Sequence, residues 1–365
     1  MSYQRKKATK YNILHYMLHH GNTSKVELAK QLDISMPTVL SNVNELMEQG
    51  LLKEKGELES TGGRKAAIIG LKDNYRYALG VDITAHHLGM VLVNFCGELV
   101  KQKRLRMQFH ADISYYSCLA EALEEFYEPE VELDRLLGVG ISLPGIINQK
   151  EKLLVKSHAL QLENYSLKII EQILAMPVYY ENDANAAMLA ENPQRLKNFI
   201  YLSLNNTLGG AVCIDGTLFT GQNRKAGEFG HIMLFPNGKK CYCGKYGCAD
   251  AYCAASVLTQ AGKVKLEDFM ESIPDNSDNN QIWQEYLENL AILISNLRMA
   301  YDTDIILGGD VGGYLSDYMV ELGQRTLKYN LFDADSSYLK ICSYQKEASA
   351  VGVAKQFFVK LIETI

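Results

Sequence analysis

The sequence predicts an α/β protein in which a small winged helix-turn-helix head precedes a body of alternating strands and helices. Three observations carry this prediction. Residues 1–72 read as helix, short helix, tight turn and polar-faced helix, followed by two short strands. The same segment holds eleven Lys and Arg against seven Asp and Glu, whereas the rest of the chain holds 26 against 36. From Tyr77 onward, short apolar runs end in Gly-rich or Asn/Asp-rich loops, as in α/β proteins that bind ligands at strand ends.

In the head, Ile13, Leu14, Met17 and Leu18 recur at helical spacing after a basic start. Ser24-Lys25-Val26-Glu27 has the form of a capping box, and Leu28, Ala29 and Leu32 follow as a short apolar face. Asp33-Ile34 makes a turn, and Ser35 is placed to cap a third helix with Pro37 in its first turn. Val39, Val43, Leu46 and Met47 form the inward stripe of that helix. Ser35, Thr38, Ser41 and Asn42 are expected to face base edges or phosphates in the major groove. Two strands near 50–54 and 65–69 read as a wing, with Arg64 at its tip reaching a phosphate or the minor groove. The plainer alternative is a three-helix adaptor.

In the body, strands are expected over 78–83, 88–93, 136–141, 178–180, 200–204, 211–214 and 305–307, with helices near 115–127, 167–174 and 282–301 and from about 348 to the end. Asn182-Asp183 closes one strand, where a carboxylate could orient or deprotonate a hydroxyl. Alone, such a pair is usually a turn.

The densest chemistry lies between Gly221 and Asp250. His231, Cys241, Cys243 and Cys248 suit a closed tetrahedral Cys3His zinc site. Four protein ligands leave no position for water, so the ion is expected to be structural. The alternative is reduced thiols beside a loop histidine. Cys96, Cys118, Cys213 and Cys342 sit among apolar residues and are expected to be buried.

The 365 residues are 47% hydrophobic and 22% charged, with net charge −6. No apolar run follows the N-terminus and no stretch approaches a membrane span, so no membrane association and a cytoplasmic location are expected.

Taken together, these residues resemble the ROK family of sugar kinases and sugar-responsive repressors. The resemblance rests on Pro144-Gly145, Glu181 to Asn185, Gly221 to His231, Cys241-x-Cys243 with Gly247-Cys248, Gly308-Gly309 and Ala350-x-Gly352. It covers essentially the whole chain and implies a two-lobed, actin-like (ribonuclease H-like) sugar-kinase fold. The expected domains are a winged head over 1–72, a small α/β lobe over 73–182 completed by the C-terminal helix at about 346–365, and a large lobe over 183–345 with the zinc site. The resemblance further implies that Asn182, Asp183, Glu228, His231 and Asp250 hold the sugar and that His231, Cys241, Cys243 and Cys248 hold zinc. Asp250 stands where the family pattern has Glu, one methylene longer.

The family's kinases use two glycine loops to approach ATP phosphates. Here Asp-x-Gly-Gly-Thr becomes Asp82-Ile83-Thr84-Ala85-His86, and Gly-Thr-Gly-x-Gly-Gly becomes Asn205-Asn206-Thr207-Leu208-Gly209-Gly210. Side chains thus stand where only glycine permits both the turn and the close approach. No catalytic residue is therefore expected, and Asp183 occupies a vestigial base position. The expected function is a transcriptional regulator, a repressor of carbohydrate genes, that binds operator DNA and a sugar or sugar-phosphate effector as a homodimer or homotetramer. The alternative is an ATP-dependent sugar kinase carrying a DNA-binding head.

Overall fold

The computed structural model describes residues 2–57, 67–127, 130–260 and 262–365. Contact density divides the chain into two compact units. The first holds 1–142, 167–180 and 353–365, and the second holds 143–166 and 181–352.

The head belongs to the first unit. Its helices are Ser2–His20, Lys25–Gln31 and Met36–Glu48. Ile13, Leu14 and Met17 of the first helix pack inward with Leu28, Val39, Val43 and Leu46, each at most 1% exposed. Ser24 caps the second helix by accepting the Glu27 N–H at 3.1 Å, and Asp33 takes a left-handed φ of 52° in the turn. Strands Leu52–Glu57 and Ala67–Leu71 pair antiparallel, and Thr23–Ser24 adds a third strand. Arg64 lies outside the described residues.

The third helix corrects one expectation. Asn42 is buried, and its amide donates to the Thr38 carbonyl at 2.8 Å. Position 42 lies three residues after Val39 and four before Leu46, inside the apolar stripe, so it cannot face DNA. Ser35 and Ser41 are exposed and Thr38 is half-buried. Ser35 occupies the N-cap position, but its hydroxyl meets the Thr38 hydroxyl at 2.8 Å instead of a backbone N–H.

Asp73 joins the head to the rest of this unit. Its carboxylate accepts from Lys53 of the wing at 2.7 Å, and its carbonyl accepts the Phe95 N–H at 3.2 Å. Beyond it, Tyr77–Ile83 pairs in parallel with Leu136–Leu143 on one side and antiparallel with His87–Asn94 on the other. Leu99–Arg106 forms one edge of this sheet and Val178–Asn182 the other.

The second unit repeats that order. Phe199–Leu204 is the pivot, with Leu208–Ile214 and Thr217–Phe219 antiparallel on one side and Asp304–Gly308 and Leu339–Ile341 parallel on the other. The long helix Ser277–Tyr301 covers this sheet. Its Trp283, Leu287, Leu290, Ile294 and Leu297 share a core with Leu202, Leu204, Ile305 and Leu307. A further antiparallel sheet of Ile146–Asn148, Leu153–Ser157 and Leu162–Ser166 belongs to the same unit and was not foreseen from the sequence.

Of the four cysteines expected to be buried, Cys213 and Cys342 are. Cys96 is half-buried and Cys118 is exposed on its helix. Among the described residues, no helix is long and apolar enough to cross a membrane.

Candidate functional site

A cavity of about 320 Å³ opens in the second unit. Asn182, Asp183, Glu228 and His231 all line it, together with Lys156, His158, Lys225 and Tyr242.

The first pair is set by a strand-to-helix junction. Strand Val178–Asn182 runs into helix Asp183–Ala190, and Asn182 caps that helix by accepting the Asn185 N–H at 3.1 Å. Its amide donates to the Gly145 carbonyl at 3.0 Å and to Asp183 Oδ1 at 2.9 Å. Behind it, buried Glu181 accepts from the Asn182 N–H at 2.9 Å and from the Asn185 amide at 3.1 Å. Asp183 therefore projects from the first helical turn, where the backbone dipole favours a carboxylate. Gly145 has φ +127°, and a Cβ there would lie 2.4 Å from the Lys156 carbonyl. Only glycine lets these segments meet.

The second pair comes from the loop that enters the short 3-10 turn Phe229–His231. This loop presses against strand Leu208–Ile214. A Cβ on Gly227 (φ +87°) would fall 2.4 Å from the Gly210 carbonyl. The turn then places Glu228 Oε2 4.0 Å from His231 Nε2. Burial raises the Glu228 carboxyl from its ordinary range, while His158 and Lys225 pull it down. Burial, aided by Lys245 and His158, lowers the His231 imidazole and favours its neutral form.

The two faces of that imidazole serve different neighbours. Nδ1 lies 3.9 Å from Cys241 Sγ, and Nε2 lies 3.3 Å from the Tyr242 hydroxyl. Cys243 and Cys248 bring their sulfurs to 3.8 Å, and the four donor atoms of His231, Cys241, Cys243 and Cys248 all lie within 4.8 Å of one another. With Zn–S arms of about 2.3 Å, a tetrahedron has S···S edges of about 3.8 Å. The cluster can hold a metal ion, and its donor set and spacing fit a tetrahedral one.

Asp250 does not join the cavity lining. It is buried at the start of helix Asp250–Cys253, and its carboxylate accepts the Leu208 N–H at 2.7 Å. Burial pushes its carboxyl up to about 6 against the opposing effect of that N–H. The short side chain stops at the backbone of the Asn205–Gly210 segment.

Sequence reasoning missed Lys156, His158, Lys225 and Tyr242. Tyr242 had a local signal, as the residue between two candidate ligands. Its ring meets His231 edge-on at 5.3 Å and His158 at 5.9 Å. Lys156 and His158 arrive from the unforeseen three-stranded sheet.

The two altered glycine loops are the turns between the first and second strands of the two five-stranded sheets. In the first, Thr84 Oγ1 accepts the N–H groups of His86 at 3.4 Å and His87 at 3.0 Å, and no residue from 83 to 87 has a positive φ. In the second, Asn205 Oδ1 accepts the Asp310 N–H at 2.8 Å, and its amide donates to Ser203 at 3.1 Å. In the first turn two backbone donors are thus taken by Thr84, and in the second the Leu208 N–H is taken by Asp250.

Comparison with known proteins agrees with this architecture. Residues 78–357 match the ROK family, and residues 6–53 match a winged helix-turn-helix DNA-binding domain. A xylose repressor of Caldicellulosiruptor bescii is 25% identical over 363 residues, covering 92% of this chain and 91% of that protein. The DNA-binding transcriptional dual regulator NagC of Escherichia coli is 25% identical over 247 residues, covering 66% of this chain and 61% of that protein. The crystal structure of a ROK family transcriptional regulator, a homologue of the E. coli MLC protein, matches with TM-score 0.73 at 20% identity over 98% of both chains. A ROK family glucokinase from Streptomyces griseus, in complex with glucose and AMPPNP, matches with TM-score 0.62 at 20% identity over 77% of this chain and 98% of its own. At such identities the two structures speak to the fold alone.

Proposed function

The chain belongs to the ROK family, and from that premise we propose that it is a sugar-responsive transcriptional repressor that binds its effector without phosphorylating it. One observation carries the reading: the cavity keeps its convergent Asn182, Asp183, Glu228 and His231, while both turns that would approach ATP phosphates carry side chains in place of glycine and commit backbone N–H groups to Thr84 and Asp250. An amide, two carboxylates and an imidazole on one cavity suit a polyhydroxylated ligand. Phosphoryl transfer depends on positioned backbone donors and charge stabilisation, and in both turns backbone donors are committed to the chain's own side chains. Asp183 then acts as a hydrogen-bond acceptor.

His231, Cys241, Cys243 and Cys248 would hold a zinc ion, which would brace the loop and leave no open coordination position. His231 would bind it through Nδ1 and turn Nε2 toward the sugar. Asp250 supports the pocket wall through Leu208 instead of gripping the sugar directly. In the head, Ser41 and the wing tip with Arg64 would meet operator DNA. Paired half-sites favour a homodimer or homotetramer, and a regulator of this kind works in the cytoplasm. In this reading the functional partition is a head over 1–72, a small lobe over 73–182 with the C-terminal helix, and a large lobe over 183–345.

The named repressors among its relatives support this assignment. The shared fold of the glucokinase leaves an ATP-dependent sugar kinase as the second reading. Thermal-shift screening of sugars and sugar phosphates, followed by a coupled ATP assay on each stabilising compound, separates the two. The expected result is a stabilising sugar with no turnover. Robust turnover overturns the proposal.

A further inference from the structure

We infer that Leu40 reads the 5-methyl group of a thymine in the operator's major groove. The inference rests on the DNA-binding reading above and adds to it a base preference at one position of each half-site.

The outward side of helix Met36–Glu48, ahead of its last residue, is formed by Met36, Pro37, Leu40, Ser41 and Asn44. Leu40 is 41% exposed and Met36 37% exposed, in a head whose inward aliphatic residues Leu28, Val39, Val43 and Leu46 are fully buried. Leu40 thus presents an exposed aliphatic surface on the N-terminal half of this helix. That half of the helix is the part that meets base edges when a helix-turn-helix docks.

The chemistry of the surrounding residues narrows what Leu40 can meet. None of the five outward residues is Arg, Lys or Gln, so this face has no long side chain for bidentate recognition of guanine. Ser35 and Thr38 already hold each other's hydroxyls at 2.8 Å, and Asn42 is buried with its amide on Thr38. Hydrogen-bonding readout from this face is left to short side chains: Ser41, Asn44 and what the Ser35–Thr38 hydroxyl pair has to spare. The thymine methyl is the apolar feature that the four bases offer along the major groove. A cytosine or guanine edge under Leu40 would lose water without gaining a hydrogen bond. Base recognition by this helix therefore rests on an apolar contact flanked by short polar ones.

The test uses the full chain. A preferred site is selected from random-sequence DNA, each thymine of a half-site is replaced singly by deoxyuridine, and binding is measured by anisotropy at fixed salt. Deoxyuridine removes only the methyl group. At one thymine the replacement should weaken the wild-type protein about fourfold, the value of one buried methyl, and leave L40A unaffected. Selection with L40A should relax at that same base pair. Because Leu40 is on the surface, L40A keeps its fold, which circular dichroism checks. The inference is overturned if every thymine tolerates deoxyuridine, or if the penalty is the same in both proteins. It is also overturned if L40A changes the oligomeric state, since Leu40 would then be covered by another copy of the chain. Failure to select any site would instead refute the DNA-binding reading itself.

Discussion

The two five-stranded sheets have the same strand order and carry very different loads. In each, the first strand is the pivot, the next two form a meander on one side, and the last two lie on the other. Their edges are protected differently. Leu99–Arg106 is a long edge strand guarded by Lys101, Lys103, Arg104 and Arg106, whereas Thr217–Phe219 is short. The larger contrast lies between the third and fourth strands. In the first sheet the described residues of that segment, 107–135, contain one α-helix and a short 3-10 turn. In the second, residues 220–303 contain the Glu228/His231 turn, the three cysteines of the metal cluster and the long covering helix. The topology thus recurs while the cavity draws on different parts of it: the Glu228/His231 turn comes from the long insertion, and Asn182 and Asp183 come from the end of an edge strand.

If the metal cluster braces only the second unit, its loss should be felt there first and most strongly. Trp283, the single tryptophan, is buried in that unit and reports on it by fluorescence. Cys243→Ser should lower the Trp283-detected unfolding free energy by on the order of 3 kcal/mol and abolish the sugar response. A metal-free wild-type protein with an unchanged Trp283 transition and normal sugar binding would break the comparison.

The turns between first and second strands offer a finer contrast. Thr84→Ala frees two N–H groups of an exposed turn and should cost about 1 kcal/mol in chemical denaturation. Asn205→Ala removes the partner of the Asp310 N–H and should cost about 1–2 kcal/mol. Neither variant should acquire ATP turnover, since each leaves the other turn without its glycines. A gain of turnover in either would show that a single side chain blocks the phosphate site.

The smallest expected effect concerns the join between head and sheet. The hydrogen bond from Lys53 holds the Asp73 carboxyl down at about 2. Its contribution is present above the ordinary carboxylate value of about 3.9 and is lost as pH falls through about 2. The pair is partly exposed, so Asp73→Asn should cost under about 1 kcal/mol at neutral pH. The difference in melting temperature between D73N and wild type should shrink as pH falls from 5 toward 2. A difference that grows on acidification would contradict the assignment.

Much of this was legible in the sequence where local chemistry is strict. The cysteine spacing and the Asn182-Asp183 strand end both depend on neighbours close in sequence. Asn42 was misread because its polar side chain outweighed its phase, although position 42 falls within the 39–43–46 stripe. Cys118 was misread for the converse reason, since an apolar neighbourhood in sequence does not fix which side of a helix faces inward. Lys156 and His158 left no signal because Leu162–Ser166 and its partner strands lack a clean alternation, and a cavity wall built from distant segments has no local pattern. The repeated strand order was also invisible, since topology can recur with no recurrence of residues.

The most direct measurement of the central claim is the affinity of the full chain for its operator, followed by anisotropy, with and without the sugar that stabilises it. The account predicts that saturating sugar weakens DNA binding at least tenfold, a coupling of about 1.4 kcal/mol, and that the sugar is recovered unphosphorylated when ATP is present. A sugar that binds the protein but leaves operator affinity unchanged, or that returns as a phosphate ester, would contradict it.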